Sequence, residues 1–139
     1  MVKEIVKDLE ILTKRSDRVN FKESGPIIVD LLDTANANSE RCSGLAAIQI
    51  GVPKRIIVVK MGKGQFRPFV NPVIIWKGNK TYQATEGCLS LEGERTVTRY
   101  RQIRVAHETT SGKLKVENFD GYLAEVIQHE VDHLNGILI

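Results

Sequence analysis

Two histidines stand four residues apart near the C-terminus, in the segment His129-Glu130-Val131-Asp132-His133. On an α-helix, residues four apart are neighbours on one face, so both imidazoles can reach a single ion. Glu130 lies about 100° around the helix from His129, where it can contact a water on that ion without being a ligand. The spacing therefore predicts one catalytic transition metal with two histidine ligands and a general base.

A catalytic metal site needs a third protein ligand and one open position for water. The candidates are Cys88, Cys42 and His107. We favour Cys88, because the preceding Gly87 lets the backbone approach another group closely. Cys42 lies among small residues, and a small buried hydrophobe is the commoner fate of a cysteine. His107 lies in an alternating stretch typical of a strand, which favours a structural role.

The histidine segment belongs to a predicted C-terminal helix with Asp120 as its N-cap and Gly136 just past its end. Its apolar residues have helical spacing and are Leu123, Val126, Ile127, Val131 and Leu134. This spacing is typical of a helix packed against a core. Buried imidazoles need partners, which supports the metal interpretation.

The rest of the chain predicts one earlier helix and several strands. The helix begins at Pro26, a residue that is well tolerated at a first helical position, and fades after Ala35. The strands are predicted over residues 55–61, 69–76, 81–85, 96–109 and 114–116. Pro72 indicates an edge or a bulge, because proline cannot donate to a strand ladder. We predict an α+β fold of mostly antiparallel strands packed around a buried C-terminal helix that carries the His-Glu-x-x-His motif.

Composition is that of an ordinary globular protein, with 139 residues, 42% hydrophobic and 27% charged. The length predicts a single domain. A formal charge of +3 is too small to indicate a nucleic-acid partner. The alternating arginines in the middle of the chain are interpreted as the solvated face of a strand. They are Arg95, Arg99, Arg101 and Arg104. We expect no membrane segment and a cytoplasmic location, because no apolar run is long enough for a signal or a span.

Three segments together resemble the peptide deformylase family, which removes the N-formyl group from nascent bacterial proteins. They are Ser43–Gln49 (SGLAAIQ), Glu86–Ser90 (EGCLS) and Gln128–His133 (QHEVDH), in that order. The resemblance covers nearly the whole chain and implies a catalytic domain over residues 1–139.

The resemblance implies that Cys88, His129 and His133 hold one divalent metal, with water in the fourth place. Fe²⁺ is the expected ion, and Zn²⁺, Ni²⁺ or Co²⁺ can occupy a site of these ligands. Glu130 is implied to take a proton from the water and to pass it to the departing amine. The implied substrate is an N-formylmethionyl peptide or nascent chain, so contact with the ribosome is also expected.

Further roles follow from the same resemblance. Gln49 and the backbone N–H of Leu89 are implied to hold the formyl oxygen as it gains charge. The residues implied to shape the substrate site are Gly44, Leu45, Glu86, Gly87, Tyr122 and Val126. Gly44 is expected to leave space for the substrate backbone as an added strand. Arg95 is expected to brace the site together with Glu86.

The chain departs from the family pattern at three places. Cys42 stands where the family usually has glycine, and Leu91–Glu94 follows the second segment where proline is usual. Glu125 lies one turn before His129, on the helical face expected to shape the pocket for methionine. This carboxylate either enters the pocket or points to solvent at its mouth.

Two alternative functions remain at this point. One is a metallo-amidase or peptidase with a different substrate, but such enzymes usually take their third ligand from His or Glu, which Cys88 argues against. The other is a deformylase-like protein that binds metal or formylated peptides with weak or altered activity.

Overall fold

A computed structural model describes the chain from Met1 to Ile139. The helices are α1 (Leu9–Leu12), α2 (Phe21–Ala37) and α3 (Gly121–Leu134), with a 3-10 turn at Ala47–Ile50. The strands are β1 (Gly44–Ala46), β2 (Ile56–Lys60), β3 (Phe66–Lys77), β4 (Thr81–Glu86), β5 (Arg95–Tyr100), β6 (Gln102–Glu108) and β7 (Leu114–Asp120). No helix combines the length and the apolar character that a membrane crossing needs.

The strands form two antiparallel sheets. The larger has the order β1-β2-β3-β6-β7, and β4 pairs with β5 in the smaller. Helix α3 contacts strands of both sheets and is buried along most of its length. The predicted α+β fold with a buried C-terminal helix is confirmed.

The apolar residues of strand β2 show that the larger sheet is covered on both faces. Ile57 and Val59 belong to the core cluster that contains the apolar residues of α3. Ile56 and Val58 belong to a second cluster with apolar residues of α2. Successive side chains of a strand point to opposite faces, so α3 covers one face of the sheet and α2 the other. A strand buried on both faces has an unbroken apolar run, as the sequence of β2 does.

Helix α2 begins earlier than predicted. It starts at Phe21, and Asn20 caps it by accepting a hydrogen bond from the backbone N–H of Glu23. The side chain of Glu23 in turn accepts a hydrogen bond from the Asn20 amide. Pro26 therefore lies inside the helix and not at its first position. The cap satisfies the free N–H groups of the first turn, which makes the earlier start favourable.

The single strand predicted over residues 96–109 is also wrong, because this segment is divided between the two sheets. β5 ends at Tyr100 and β6 begins at Gln102. Between them the N–H of Arg101 donates to the Lys80 carbonyl, and the Arg101 carbonyl accepts from the N–H of Gly121. These contacts hold the chain where it changes sheets, and alternation alone does not reveal such a change.

Pro72 marks a bulge, one of the two predicted alternatives. The pairing of β3 with β6 shifts in register between Val70 and Val73. Asn71, inside the bulge, has a φ of 49°, and its side chain bonds to the backbone of Val19. β3 is an interior strand, so the edge alternative is excluded.

Candidate active site

The ends of α3 are as predicted, and a side chain from elsewhere holds the C-terminal end. Asp120 is the N-cap, and Gly136 follows the helix with a φ of 73°. Arg55 donates to the Leu134 carbonyl and to Asn135 Oδ1, at 2.9 Å each. A cation at the C-terminal end of a helix is favourable, because free carbonyl groups carry partial negative charge there.

Helix α3 and the segment after β4 bring three metal-binding side chains together. One ligand atom from each of Cys88, His129 and His133 lies within 4.8 Å of the other two. The Sγ of Cys88 is 3.5 Å from His133 Nε2. His133 is fully buried, and its Nδ1 has no hydrogen-bond partner. One sulfur and two imidazole donors that converge in this way fit a thiolate–imidazole metal site.

Glu86 orients one of the two imidazoles. Its Oε1 lies 2.8 Å from His129 Nδ1, which leaves Nε2 free to act as a ligand atom. Burial alone would raise the pKa of Glu86, but hydrogen bonds from Arg99 and His129 lower it to about 2. Glu86 is therefore a charged acceptor that fixes the tautomer and the orientation of His129.

Arg99 lies at the site, which its sequence pattern did not predict. Only 5% of it is exposed, so the predicted solvated position is wrong. Its Nε and Nη2 contact Glu86 at 2.9 and 2.7 Å, and its Nη1 contacts Asp132 at 2.7 Å. Arg95, which is expected to brace the site, lies opposite Glu86 in the β4–β5 pair, and its side chain donates to the Glu92 carbonyl. Arg95 and Arg99 lie four residues apart on one face of β5, so alternation could not distinguish them.

Glu130 is buried beside the three ligand candidates. Its Oε1 has no hydrogen-bond partner. Burial raises the pKa of Glu130 to about 7, although the neighbouring charge of His129 acts in the opposite direction. A carboxyl group that titrates near neutral pH can both accept and release a proton.

Gly44 allows β1 and α3 to approach each other closely. A Cβ atom at this position would lie 2.8 Å from Val126 Cγ1 and 2.9 Å from Glu130 Oε2. The missing side chain therefore makes room for the helix that carries Glu130. β1 pairs only with β2, so its other edge is free.

Gln49 and Leu89 lie beside Cys88 and have N–H groups at the site. Gln49 Oε1 accepts from the N–H of Ala46 at 3.0 Å, which orients the amide. Its Nε2 lies 3.1 Å from Ser90 Oγ and 3.4 Å from Cys88 Sγ. The backbone N–H of Leu89 donates to no protein group. The N–H of Ser90 donates to Cys88 Sγ at 3.3 Å.

The two other ligand candidates do not join the group. Cys42 is buried, and its Sγ donates to the Gly44 carbonyl at 3.1 Å. Burial, followed by the charge of Glu130, raises the pKa of Cys42 to about 12, so its thiol stays protonated. His107 lies in β6, where its Nε2 is 2.6 Å from Glu117.

A cavity of about 540 Å³ opens in front of these groups. Five of the six residues expected to shape the substrate site line it, namely Gly44, Glu86, Gly87, Tyr122 and Val126. Leu45 does not, because its side chain is fully buried in the core cluster that contains α2. Glu125 also lines the cavity, and Tyr82 donates a 2.7 Å hydrogen bond to it. Of its two predicted positions, the structure therefore has the one inside the pocket.

Comparison with known proteins gives consistent matches. The family model for polypeptide deformylase matches residues 2–139. A peptide deformylase from Clostridium beijerinckii is 45% identical over 100% of both chains. One from Pelagibacter ubique is 44% identical over 84% of this chain and 69% of its own.

Solved structures agree with these relatives. The Met-Ala-Ser-bound class I type b peptide deformylase from Acinetobacter baumannii has a TM-score of 0.90 and 28% identity, covering 99% of this chain and 97% of its own. A probable peptide deformylase from Synechococcus phage S-SSM7 has a TM-score of 0.86 and 34% identity, covering 98% of this chain and 96% of its own. This chain belongs to the peptide deformylase family, metal-dependent hydrolases that remove N-formyl groups from nascent polypeptides.

Proposed function

We propose that this chain removes the formyl group from the N-terminal methionine of nascent polypeptides and releases formate. Cys88, His129 and His133 hold one divalent metal, and Glu130 is the general base. The observation that carries the proposal is the convergence of three donor atoms within 4.8 Å beside a buried carboxyl group.

The donor set suits one borderline-soft ion. A thiolate with two imidazoles accepts Fe²⁺, Zn²⁺, Ni²⁺ or Co²⁺. We propose Fe²⁺, the ion that the family resemblance implies. The metal supplies the Lewis acidity that activates water for attack on a carbonyl carbon. Metal analysis of protein purified without oxygen checks the choice of ion.

The protein side chains handle protons and developing charge. Glu130 takes a proton from the attacking water at its unpaired Oε1 and later delivers it to the departing amine. The Nε2 of Gln49 and the N–H of Leu89 donate to the formyl oxygen as it becomes negative. Each such oriented donor is worth about 3–4 kcal/mol in the transition state.

The cavity walls select the substrate. The formyl carbon carries only hydrogen, so we infer that the part of the cavity beside Gln49 and Cys88 admits formyl and rejects the larger acetyl group. The methionine side chain lies against Tyr122 and Val126, and the peptide backbone follows the free edge of β1. The Met-Ala-Ser peptide in the related Acinetobacter baumannii structure is the product expected from formyl-Met-Ala-Ser.

Release of formate from formyl-Met-Ala-Ser by the iron- or nickel-loaded protein tests this function. We expect turnover of this peptide and none of acetyl-Met-Ala-Ser. Glu130→Gln should keep one metal per chain while kcat falls by about 10²–10⁴-fold, the usual contribution of a general base. Absence of turnover in protein whose metal site is filled would contradict the proposal. Loss of metal from Glu130→Gln would show that Glu130 is not only a base.

The setting of the reaction follows from the substrate. We infer that residues 1–139 act as one catalytic domain in the cytoplasm and meet nascent chains at the ribosome. Two free cysteines fit a reducing compartment. Co-sedimentation with ribosomes that carry a formylated nascent chain tests whether the protein meets nascent chains at the ribosome.

A further inference from the structure

A second cavity adjoins the catalytic one. It measures about 530 Å³ and is formed largely by the N-terminal segment 4–8. Three residues line both cavities, namely Lys7, Arg41 and Leu89. The two spaces therefore meet at a boundary that carries two cationic side chains.

The backbones of both cations are anchored to active-site elements. The N–H of Val6 donates to the Gln49 carbonyl at 2.8 Å, which holds Lys7 beside the site. Arg41 directly precedes the buried Cys42, and its own N–H donates to the Asn38 carbonyl at 3.0 Å. The boundary is thus held in place by the same segments that place Gln49 and Gly44.

The two cationic side chains are free to meet a ligand. Both are exposed, and neither forms an ion pair or a side-chain hydrogen bond within the protein. Acidic residues also line these cavities: Glu86, Glu92, Glu125 and Glu130 the catalytic one, and Glu4 and Asp8 the second. Asp8 is engaged as the N-cap of α1. None of the six lines both cavities, so the two charged residues shared by both cavities are cations.

We propose that Lys7 and Arg41 form a subsite for a carboxylate side chain of the substrate, two residues after the formylated one. The inference rests on the proposed function. With the first residue in the catalytic cavity, the following residues leave through its opening, and the second cavity continues from there. A carboxylate at the boundary gains two ion pairs, whereas a cationic residue meets like charge.

Two matched peptides test this subsite. They are the C-terminal amides of formyl-Met-Ala-Glu and formyl-Met-Ala-Gln, which differ only in a side-chain charge. We expect the wild-type kcat/KM to be about three- to fivefold higher for the glutamate peptide at low ionic strength, the effect of exposed ion pairs. Added salt should shrink this ratio, because it screens exposed charges.

Variants assign the preference to residues. Lys7→Gln and Arg41→Gln should each lower the ratio, and the double variant should bring it to about one. Lys80→Gln is the matched control, because this exposed lysine lines neither cavity and should leave the ratio unchanged. A wild-type ratio near one, or a ratio that survives in the double variant, would overturn the subsite. Failure to cleave the glutamine peptide would instead contradict the proposed function.

Discussion

At the scale of single residues, the site combines groups that are neighbours on one helix with groups that meet only through the fold. His129, Glu130 and His133 lie on one helix, so their spacing in the sequence is enough to predict that they are close together. Cys88 joins them through tertiary structure and was favoured only by its neighbouring glycine and the family resemblance. Arg99 was misplaced, because its partners Glu86 and Asp132 come from a different strand and from α3.

The two cysteines provide a prediction at this scale. Cys88→Ala should lower the metal content from about one ion per chain to near zero, because the site loses one of only three protein ligands. Cys42→Ala should keep the ion, since burial raises the pKa of the Cys42 thiol to about 12 and its Sγ donates to the Gly44 carbonyl. Metal analysis after gel filtration, with circular dichroism as the folding control, measures both. The opposite outcome would make Cys42 the ligand.

At the scale of elements, long periodic segments were predicted and short ones were not. Helix α3 and strand β2 have apolar patterns long enough to be recognised, and their observed ends lie close to those expected. The short elements α1, β1 and the 3-10 turn are three or four residues long and were not predicted. Two of them, β1 and the 3-10 turn, contain Gly44 and Gln49. Packing against β2 and α3 determines their conformation more than local propensity does.

Close packing between β1 and α3 predicts the effect of Gly44→Ala. The new Cβ would meet Val126 and Glu130 below 3 Å, so either the strand or the general base must move. We expect a loss of about 1–3 kcal/mol in the free energy of unfolding, the usual cost of overpacking, and a lower kcat. Denaturant unfolding and formate release measure these effects.

A control and a rescue make the packing explanation specific. Gly62→Ala should change neither the free energy of unfolding nor kcat, because a Cβ there has no neighbour within 4 Å and Gly62 has no positive φ. Adding Val126→Ala to Gly44→Ala removes one of the two close contacts and should restore part of the stability. Full activity in Gly44→Ala alone would argue against the close approach of β1 and α3.

At the scale of the whole molecule, the α+β class followed from local patterns but the sheet topology did not. The continuous alternation of residues 96–109 gives no sign that β5 and β6 belong to different sheets. The division matters for function, because β4 and β5 carry Glu86 and Arg99 to one side of α3. Only the long-range hydrogen bonds at Arg101 define where the chain changes sheets.

On the face of the larger sheet that α3 covers, an ion network beside Phe69 predicts acid sensitivity of the whole fold. Glu117 on β7 contacts Arg67 on β3 and His107 on β6. Burial alone would raise the pKa of Glu117, but its bonds to His107 and Arg67 lower it below the ordinary 4.5. A depressed folded-state pKa contributes stability that is present above 4.5 and is lost as the pH falls through the folded value. We therefore expect the unfolding free energy, measured by urea titration, to fall less steeply from about pH 5 to about pH 3 in Glu117→Gln than in the wild type.

Glu94→Gln is the control for this prediction. It removes an exposed carboxylate without an ion pair and should follow the wild-type slope in the same urea titrations. Parallel slopes for Glu117→Gln and the wild type would show that this network does not contribute to the pH dependence of the unfolding free energy.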